Sequence, residues 1–372
     1  MRELRARMFL CVTTEVAIMS GAKVCILFPH LVLGGGETAM MEVADGLQRY
    51  FDVSVCALER RKAAVAPTIA QELGARFETY RLVGSRDELT EVLRKIDLLL
   101  WYGTNDWTPN ALNALPRRPG SIRVVHTDKK EEGVEFCARW RSCIDAVSCV
   151  SPLVQRQIPG SVSIPNTVSQ TYLSGERREI FPLNKARGRK TLGFLGRLFS
   201  FKNVQWLVEN IDRLGCNLMI QGLDTEELGR ADLEALSVRL GIADRVRFLE
   251  PSRDVGTILR SIDALAILSR HEGFPMVAVE AGMVGTPVIA TRVGALPELF
   301  PDAMLFVDLE QGFPSVDCLR VALSRVNADW GERLRRKVTA LCSRDVVLGG
   351  YAKLVRSVLN GHRPHGGSFG AS

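Results

Sequence analysis

The sequence predicts an α/β protein made of two parallel-sheet domains that face each other across a cleft. Three observations carry this. Short apolar runs alternate with longer amphipathic stretches along the whole chain, the pattern of strands buried on both faces and joined by crossover helices. The alternation runs twice, and a polar segment containing Pro and Gly, 174–190, separates the two halves. The length of 372 residues suits two domains at roughly 150 residues each.

In the first half, strands are expected at Lys23–Phe28, Val53–Leu58, Asp97–Trp101, Ile122–His126 and Ala146–Val150. Helices are expected between them at Thr38–Tyr50, Ala66–Leu73, Asp87–Lys95 and Glu132–Arg141. The second half repeats the plan, with strands at Thr191–Leu195, Asn217–Gln221, Val246–Leu249, Ala264–Leu268 and Pro287–Ala290. Its helices are expected at Val204–Leu214, Glu226–Leu240, Val255–Ile262, Pro275–Val284 and Val316–Arg325, with a last one from about Arg344 to Leu359. The resulting division is an N-terminal extension at 1–21, a first domain at 22–175, a linker at 176–190, a second domain at 191–345, a terminal helix at 346–360 and a Gly-rich, mobile tail at 361–372.

Composition narrows the function classes. Hydrophobic residues make up 46% and charged residues 24%, which excludes a disordered chain or a small disulfide scaffold. A net charge of +6 is too mild for a dedicated nucleic-acid binder, but suits an anionic small ligand or an acidic membrane surface. The nine cysteines form no C-x-x-C pair and several sit inside apolar runs, as in Val24-Cys25-Ile26. They read as reduced, buried thiols in a cytoplasmic protein, without a structural zinc site. Arg2, Arg5 and Arg7 precede a short apolar stretch, but Glu15 interrupts it, so residues 1–21 read as an extension rather than a signal peptide. No segment has the ~18 uninterrupted apolar residues of a spanning helix.

Three segments carry candidate chemistry. Gly34-Gly35-Gly36-Glu37-Thr38 follows the first strand and opens a helix. Its glycines leave main-chain N–H groups uncovered at a helix N-terminus, which makes an anion cradle. The spacing also satisfies a dinucleotide fingerprint, with Glu59 about 20 residues on, yet Pro29–Leu33 separate the glycines from the strand end where that fingerprint needs them. The second segment, Gly196-Arg197-Leu-Phe-Ser-Phe-Lys202-Asn203, sets two cations at the carboxyl edge of a parallel sheet, an arrangement that suits a diphosphate. Taken alone, each loop also fits an ordinary turn. The third, His271-Glu272-Gly273-Phe274-Pro275-Met276, leads a strand into a helix that carries Glu280. The eight-residue step from Glu272 to Glu280 puts their backbones about 12 Å apart if helical, too far for a hydrolase pair. Carboxylates at opposite ends of an extended ligand fit better, each accepting from the vicinal hydroxyls of one sugar ring.

Glu272-x7-Glu280, with Gly-Phe-Pro inside it and Gly285-Thr286-Pro287-Val288 after it, resembles the donor-site signature of the retaining GT-B glycosyltransferases of family 4. The likeness continues through Gly294-Ala-Leu-Pro297-Glu298. It extends upstream to Gly196-Arg197-Leu198 with Lys202-Asn203, to Gly34-Gly35-Gly36-Glu37, and to Ile164-Pro165-Asn166, where Thr167 stands in place of the usual Gly. It covers about residues 22–345. The resemblance implies a GT-B fold and transfer of a sugar from a nucleotide-diphosphate donor, most readily a UDP- or GDP-sugar, to a glycan, lipid-linked or small-molecule acceptor. It implies that Glu280 binds the ribose. Glu272 and the main chain of Gly273, Phe274, Pro275 and Met276 would hold the donor sugar. Arg197 and Lys202 would neutralise the diphosphate beside Gly196, Gly35 and Gly36. His126, at a strand end in domain one, would reach the donor sugar, and His30 and Glu37 would face the acceptor. His126 also has a plain structural reading.

The cations imply catalysis without a metal cofactor, and no Asp-x-Asp motif is present. Asp224-Thr-Glu226 and Asp308-Leu-Glu310 read as helix-start and loop carboxylates. The resemblance further implies a final helix that crosses back onto domain one and peripheral contact with the inner face of a membrane. A sugar-nucleotide epimerase, an NAD-dependent oxidoreductase and a non-catalytic carbohydrate-binding relative remain as alternatives.

Overall fold

The computed structural model describes residues 21–29, 34–59, 73–168, 173–181, 188–252 and 254–361. Most of the expected N-terminal extension, residues 66–72 of one expected helix, His30 and nearly all of the tail lie outside the described residues.

The first domain is a seven-stranded sheet in the order β3-β2-β1-β4-β5-β6-β7. Its strands are β1 (Lys23–Phe28), β2 (Asp52–Leu58), β3 (Tyr80–Val83), β4 (Leu98–Tyr102), β5 (Gly120–Val125), β6 (Ala146–Cys149) and β7 (Val162–Ser163). Every neighbouring pair is parallel. Crossover helices α1 (Gly35–Leu47), α2 (Arg86–Leu93), α3 (Trp107–Asn113), α4 (Val134–Arg139) and α5 (Pro152–Gln157) join them. Successive residues of β1 go to opposite faces: Val24, Ile26 and Phe28 enter one core, and Cys25 and Leu27 the other. Burial on both faces is why the strand reads as a continuous apolar run.

The second domain is a six-stranded parallel sheet in the order β10-β9-β8-β11-β12-β13. Its strands are β8 (Thr191–Arg197), β9 (Asn217–Leu223), β10 (Val246–Leu249), β11 (Ala264–Ile267), β12 (Val288–Thr291) and β13 (Leu305–Val307), and a short antiparallel hairpin β14 (Leu309–Glu310) and β15 (Phe313–Pro314) follows. The helices are α6 (Val204–Leu214), α7 (Arg230–Arg239), α8 (Val255–Arg260), α9 (Met276–Val284), α10 (Leu296–Leu299), α11 (Val316–Arg325) and α12 (Ala328–Cys342). In each sheet the strand order reverses beside the first strand, between β1 and β4 and between β8 and β11. This opens a crevice at the carboxyl ends of the strands, where ligands of such sheets bind.

Several elements differ from expectation. The strand Tyr80–Val83 sits at a sheet edge with only Val83 fully buried, so it shows no apolar run. The helix Ala328–Cys342 buries Gly331, Leu334, Val338 and Cys342 at helical spacing, but its many arginines mask the stripe in sequence. Helix α7 starts at Arg230 rather than at Glu226 because the Thr225 hydroxyl accepts from the N–H groups of Glu227 and Leu228, closing a turn. Seven of the cysteines are free and buried, as read from their apolar settings, whereas Cys318 on α11 is exposed.

Helix α13 (Arg344–Leu359) leaves the second domain and packs into the core of the first through Val347, Tyr351, Ala352, Leu354, Val355 and Val358. Its first turn is anchored on α1: Arg344 pairs with Asp45 and, at 3.6 Å, with the buried Glu42. Leu348 fills the space above Gly46 of α1. The segment after β7 runs along domain two, where Arg260 donates to the Leu173 carbonyl at 2.7 Å and Phe181 is buried. We predict that Leu348→Ala, which empties a side chain only 1% exposed, lowers stability by about 2–4 kcal/mol. The midpoint of urea unfolding, followed by tryptophan fluorescence, checks this.

Candidate donor site between the two sheets

One cavity of about 410 Å³ lies between the carboxyl edges of the two sheets. Domain one contributes Gly34, Gly35, Gly36, Thr38, His126 and Asn166, and domain two contributes the rest of its wall.

Helix α1 starts at Gly35 with no side-chain cap, so its first N–H groups are left for a ligand. A Cβ at Gly35 would come within 2.9 Å of Met276 Cγ. Met276 is the first residue of α9, so the N-termini of two helices from different domains meet at this cavity. Pro275 precedes that helix in extended conformation, one position earlier than its expected place in the first turn. Main chain also meets main chain nearby: a Cβ on Gly273 would overlap the His126 carbonyl oxygen. Asn166, 5% exposed, donates its amide to the Phe274 carbonyl at 3.3 Å. At the rim, Arg156 of α5 and Glu298 of α10 form a two-pronged ion pair at 2.9 and 3.0 Å.

The cations stand at the end of β8. Gly196 has φ of 141°, a conformation that favours glycine, where the chain turns to present Arg197. The Arg197 guanidinium lies 4.9 Å from the ring centre of Phe199. Lys202 ends a tight turn that is pinned twice: Phe201 accepts from the Arg270 N–H at 2.8 Å, and the buried Asn203 donates to the carbonyls of Leu268 and Gly312 at 2.8 and 3.0 Å. Asn203 adopts φ of 56°, a left-handed conformation that asparagine tolerates. Phe199, Phe201 and His271 stack face to face at 5.4 and 4.1 Å beside this turn.

The Lys202 ammonium sits 2.7 Å from Glu272 Oε1, and the Ser269 hydroxyl donates to the same oxygen at 2.8 Å. The loop carrying Glu272 is braced from β12. The Thr291 hydroxyl donates to the Ser269 carbonyl at 2.6 Å, and the Ala295 N–H to the Gly273 carbonyl at 3.0 Å. Gly294, with φ of 55°, leaves no side chain where the Glu272 and Gly273 carbonyls pack against it.

Burial shifts two titratable groups on the cavity wall toward their neutral forms. Desolvation lowers His126 to about 4, with Glu37 acting to raise it and Arg123 to lower it. Both ring nitrogens are buried without a hydrogen-bond partner, and the ring meets Tyr102 edge to face at 5.4 Å. A neutral imidazole there has one donor and one acceptor for a ligand. Desolvation raises Glu280 to about 7.

Every expected donor-side residue thus lines one cavity: Gly35, Gly36, His126, Gly196, Arg197, Lys202, Glu272, Gly273, Phe274, Pro275, Met276 and Glu280. Glu37 does not. It is 6% exposed beneath the glycine loop and accepts from the Tyr102 hydroxyl at 3.4 Å, so its side chain supports the loop. His30 lies outside the described residues. Phe199, Phe201 and Ser269 were missed by sequence reasoning. Their only signal was position beside the cationic turn and the Glu272 loop. Asp224 accepts from the Arg230 N–H at the start of α7, the helix-start role read for it. Among the described residues no group of three His, Cys, Asp or Glu could hold a metal ion.

Two predictions follow from this geometry. Gly273→Ala sets a methyl against the His126 carbonyl, and neither main chain can yield without parting the domains. It should raise the radius of gyration in solution scattering. The raised Glu280 makes the folded chain bind more protons than the unfolded one between about pH 4.5 and 7, so stability falls as pH rises through that window. Glu280→Gln removes this loss. Its stability advantage over the wild type should be near zero at pH 4.5 and grow to at most about 3 kcal/mol by pH 8, read from chemical denaturation at each pH.

Residues 189–313 match the family model described as "Glycosyl transferases group 1". A D-inositol 3-phosphate glycosyltransferase of Corynebacterium efficiens is 29% identical over 185 residues, 47% of this chain and 41% of that protein. The match therefore spans less than half of that relative's length. Among solved structures, Anabaena HepE in complex with UDP and glucose is 16% identical with a TM-score of 0.73, covering 90% of this chain and all of that one. Sucrose-phosphate synthase from Thermosynechococcus elongatus is 17% identical with a TM-score of 0.65, covering 91% and 100%. The chain has the two-domain GT-B fold, and its second domain is similar to the glycosyl transferases group 1 family.

Proposed function

We propose that this chain is a retaining, family 4 glycosyltransferase that moves a hexosyl group from a nucleoside-diphosphate sugar to an acceptor hydroxyl, in the synthesis of a glycan, glycolipid or other glycoconjugate. The observation that carries this reading is the interdomain cavity lined by both cations, both helix N-termini and Glu272 and Glu280. The diphosphate meets Arg197, Lys202 and the N–H groups that open α1 and α9. The ribose diol meets Glu280, and the donor sugar meets Glu272 and His126. UDP is the nucleotide named with the HepE structure, which makes a UDP-sugar the first donor to test.

In the proposed reaction the bond from the anomeric carbon to the β-phosphate oxygen breaks as negative charge builds on the diphosphate. Fixed cations and helix N-termini lower that barrier most where charge grows most. The acceptor oxygen bonds to the anomeric carbon on the face the leaving group departs from, and its proton passes to the leaving phosphate oxygen. Configuration is thereby kept without an enzymic nucleophile. Arg197 and Lys202 supply the neutralisation, so the reading includes turnover without a metal cofactor. It also includes a cytoplasmic location with peripheral contact at the inner membrane face. No helix among the described residues is long and apolar enough to cross a membrane.

The test is a thermal-shift panel of nucleoside diphosphates and their sugars, with EDTA present, on the wild type and Glu280→Ala. One nucleotide should stabilise the wild type in proportion to ln(1 + [L]/Kd) and lose its effect in the variant. Arg197→Ala should lower turnover by about 100-fold or more, as removal of a charge-stabilising donor does. A shift with NAD and with no nucleoside diphosphate would move the reading to an oxidoreductase, and epimerised sugar formed without acceptor would move it to an epimerase.

A further inference from the structure

Resting on the donor reading above, the geometry points to Ser269 as a positioning residue for donor-sugar recognition: it keeps Glu272 aimed when an incoming diphosphate draws Lys202 off that carboxylate. In the ligand-free site the two groups meant for different parts of the donor hold each other. Lys202 and Glu272 are paired at 2.7 Å, with side chains only 18% and 14% exposed. A diphosphate carries more negative charge than one carboxylate and arrives beside Arg197, so it outcompetes Glu272 for the ammonium. The backbone under Lys202 is pinned by Asn203 and Phe201, which leaves a swing of the flexible side chain as the change needed.

Glu272 then needs a second holder. Ser269 donates to Oε1, the oxygen that Lys202 also uses, so Oε2 is left to a sugar hydroxyl. Ser269 is 2% exposed and its own carbonyl is tied to Thr291, so the hydroxyl cannot follow solvent away from the carboxylate. Diphosphate binding thus frees the carboxylate, and the serine keeps it oriented. A charged carboxylate held by one neutral donor is a stronger acceptor for a sugar hydroxyl than one neutralised by an ammonium.

The experiment measures the Kd of a nucleoside diphosphate and of its sugar by calorimetry, using UDP with UDP-glucose, GDP with GDP-mannose and ADP with ADP-glucose. Proteins are the wild type, Ser269→Ala, Ser269→Thr and Glu272→Gln. In the pair that the wild type binds, Ser269→Ala should leave the diphosphate Kd within about twofold and cut the extra affinity due to the sugar by about tenfold. Ser269→Thr, which keeps the hydroxyl, should restore it. Glu272→Gln should bind the bare diphosphate several-fold tighter than the wild type, because Lys202 is no longer engaged, and should lose the sugar increment. Equal weakening of both ligands in Ser269→Ala, an unchanged increment, or no gain in diphosphate affinity in Glu272→Gln would overturn the inference alone. Failure of the wild type to bind any of the three pairs would overturn the donor reading itself.

Discussion

The site depends on a main-chain contact between the two domains, where Gly273 lies against the His126 carbonyl. Two flat sheet edges cannot enclose a ligand unless they approach to backbone distance, and only a residue without a Cβ permits that here. Around this contact, Gly35 meets Met276, and Asn166 reaches the Phe274 carbonyl. Each pairs a residue of domain one with the loop or first turn before α9. The helix N-terminus that would bind an anion is therefore also the surface on which the domains close, which ties enclosure of the ligand to its recognition.

Exclusion of water sets the electrostatics. Desolvation holds His126 uncharged at neutral pH and pushes Glu280 up to about 7, while Lys202 and Glu272 pair at 2.7 Å. The cavity thus has a neutral imidazole on the domain-one wall and the two cations at the end of β8 on the other. Lys202, with its side chain only 18% exposed, acts more strongly there than it would in water. The cost is a marginal ligand-free site, in which the carboxyl of Glu280 resists ionisation and both nitrogens of His126 lack partners.

The final helix adds a second constraint. By packing α13 into the core of domain one, the chain joins its domains at two places, near 173–190 and at 342–344. The Arg344 anchor lies on α1, the helix that begins at the glycine loop. A two-point connection restricts the relative motion of the domains to fewer directions than a single linker would, and so favours repeated closure on the same contact.

The strands buried on both faces were legible in the sequence, because burial on both sides demands unbroken apolar runs such as Val24 to Phe28 and Ala264–Ile267. Helices α6 and α11 were legible to the residue, and the residues read around Arg197 and Glu272 line one cavity. Elements at sheet edges, such as Tyr80–Val83 and Leu305–Val307, were not, because half-exposed or very short strands carry little pattern. What the sequence by itself determined was the local conformation of its strands, helices and turns, since glycine, proline and apolar pattern act through neighbouring atoms. Only the tertiary structure decided that Glu37 turns inward to Tyr102, that Ser269 and Lys202 share one oxygen of Glu272, and that His126 loses its charge. Those outcomes depend on atoms tens to hundreds of residues apart in the chain and on the water that their meeting expels.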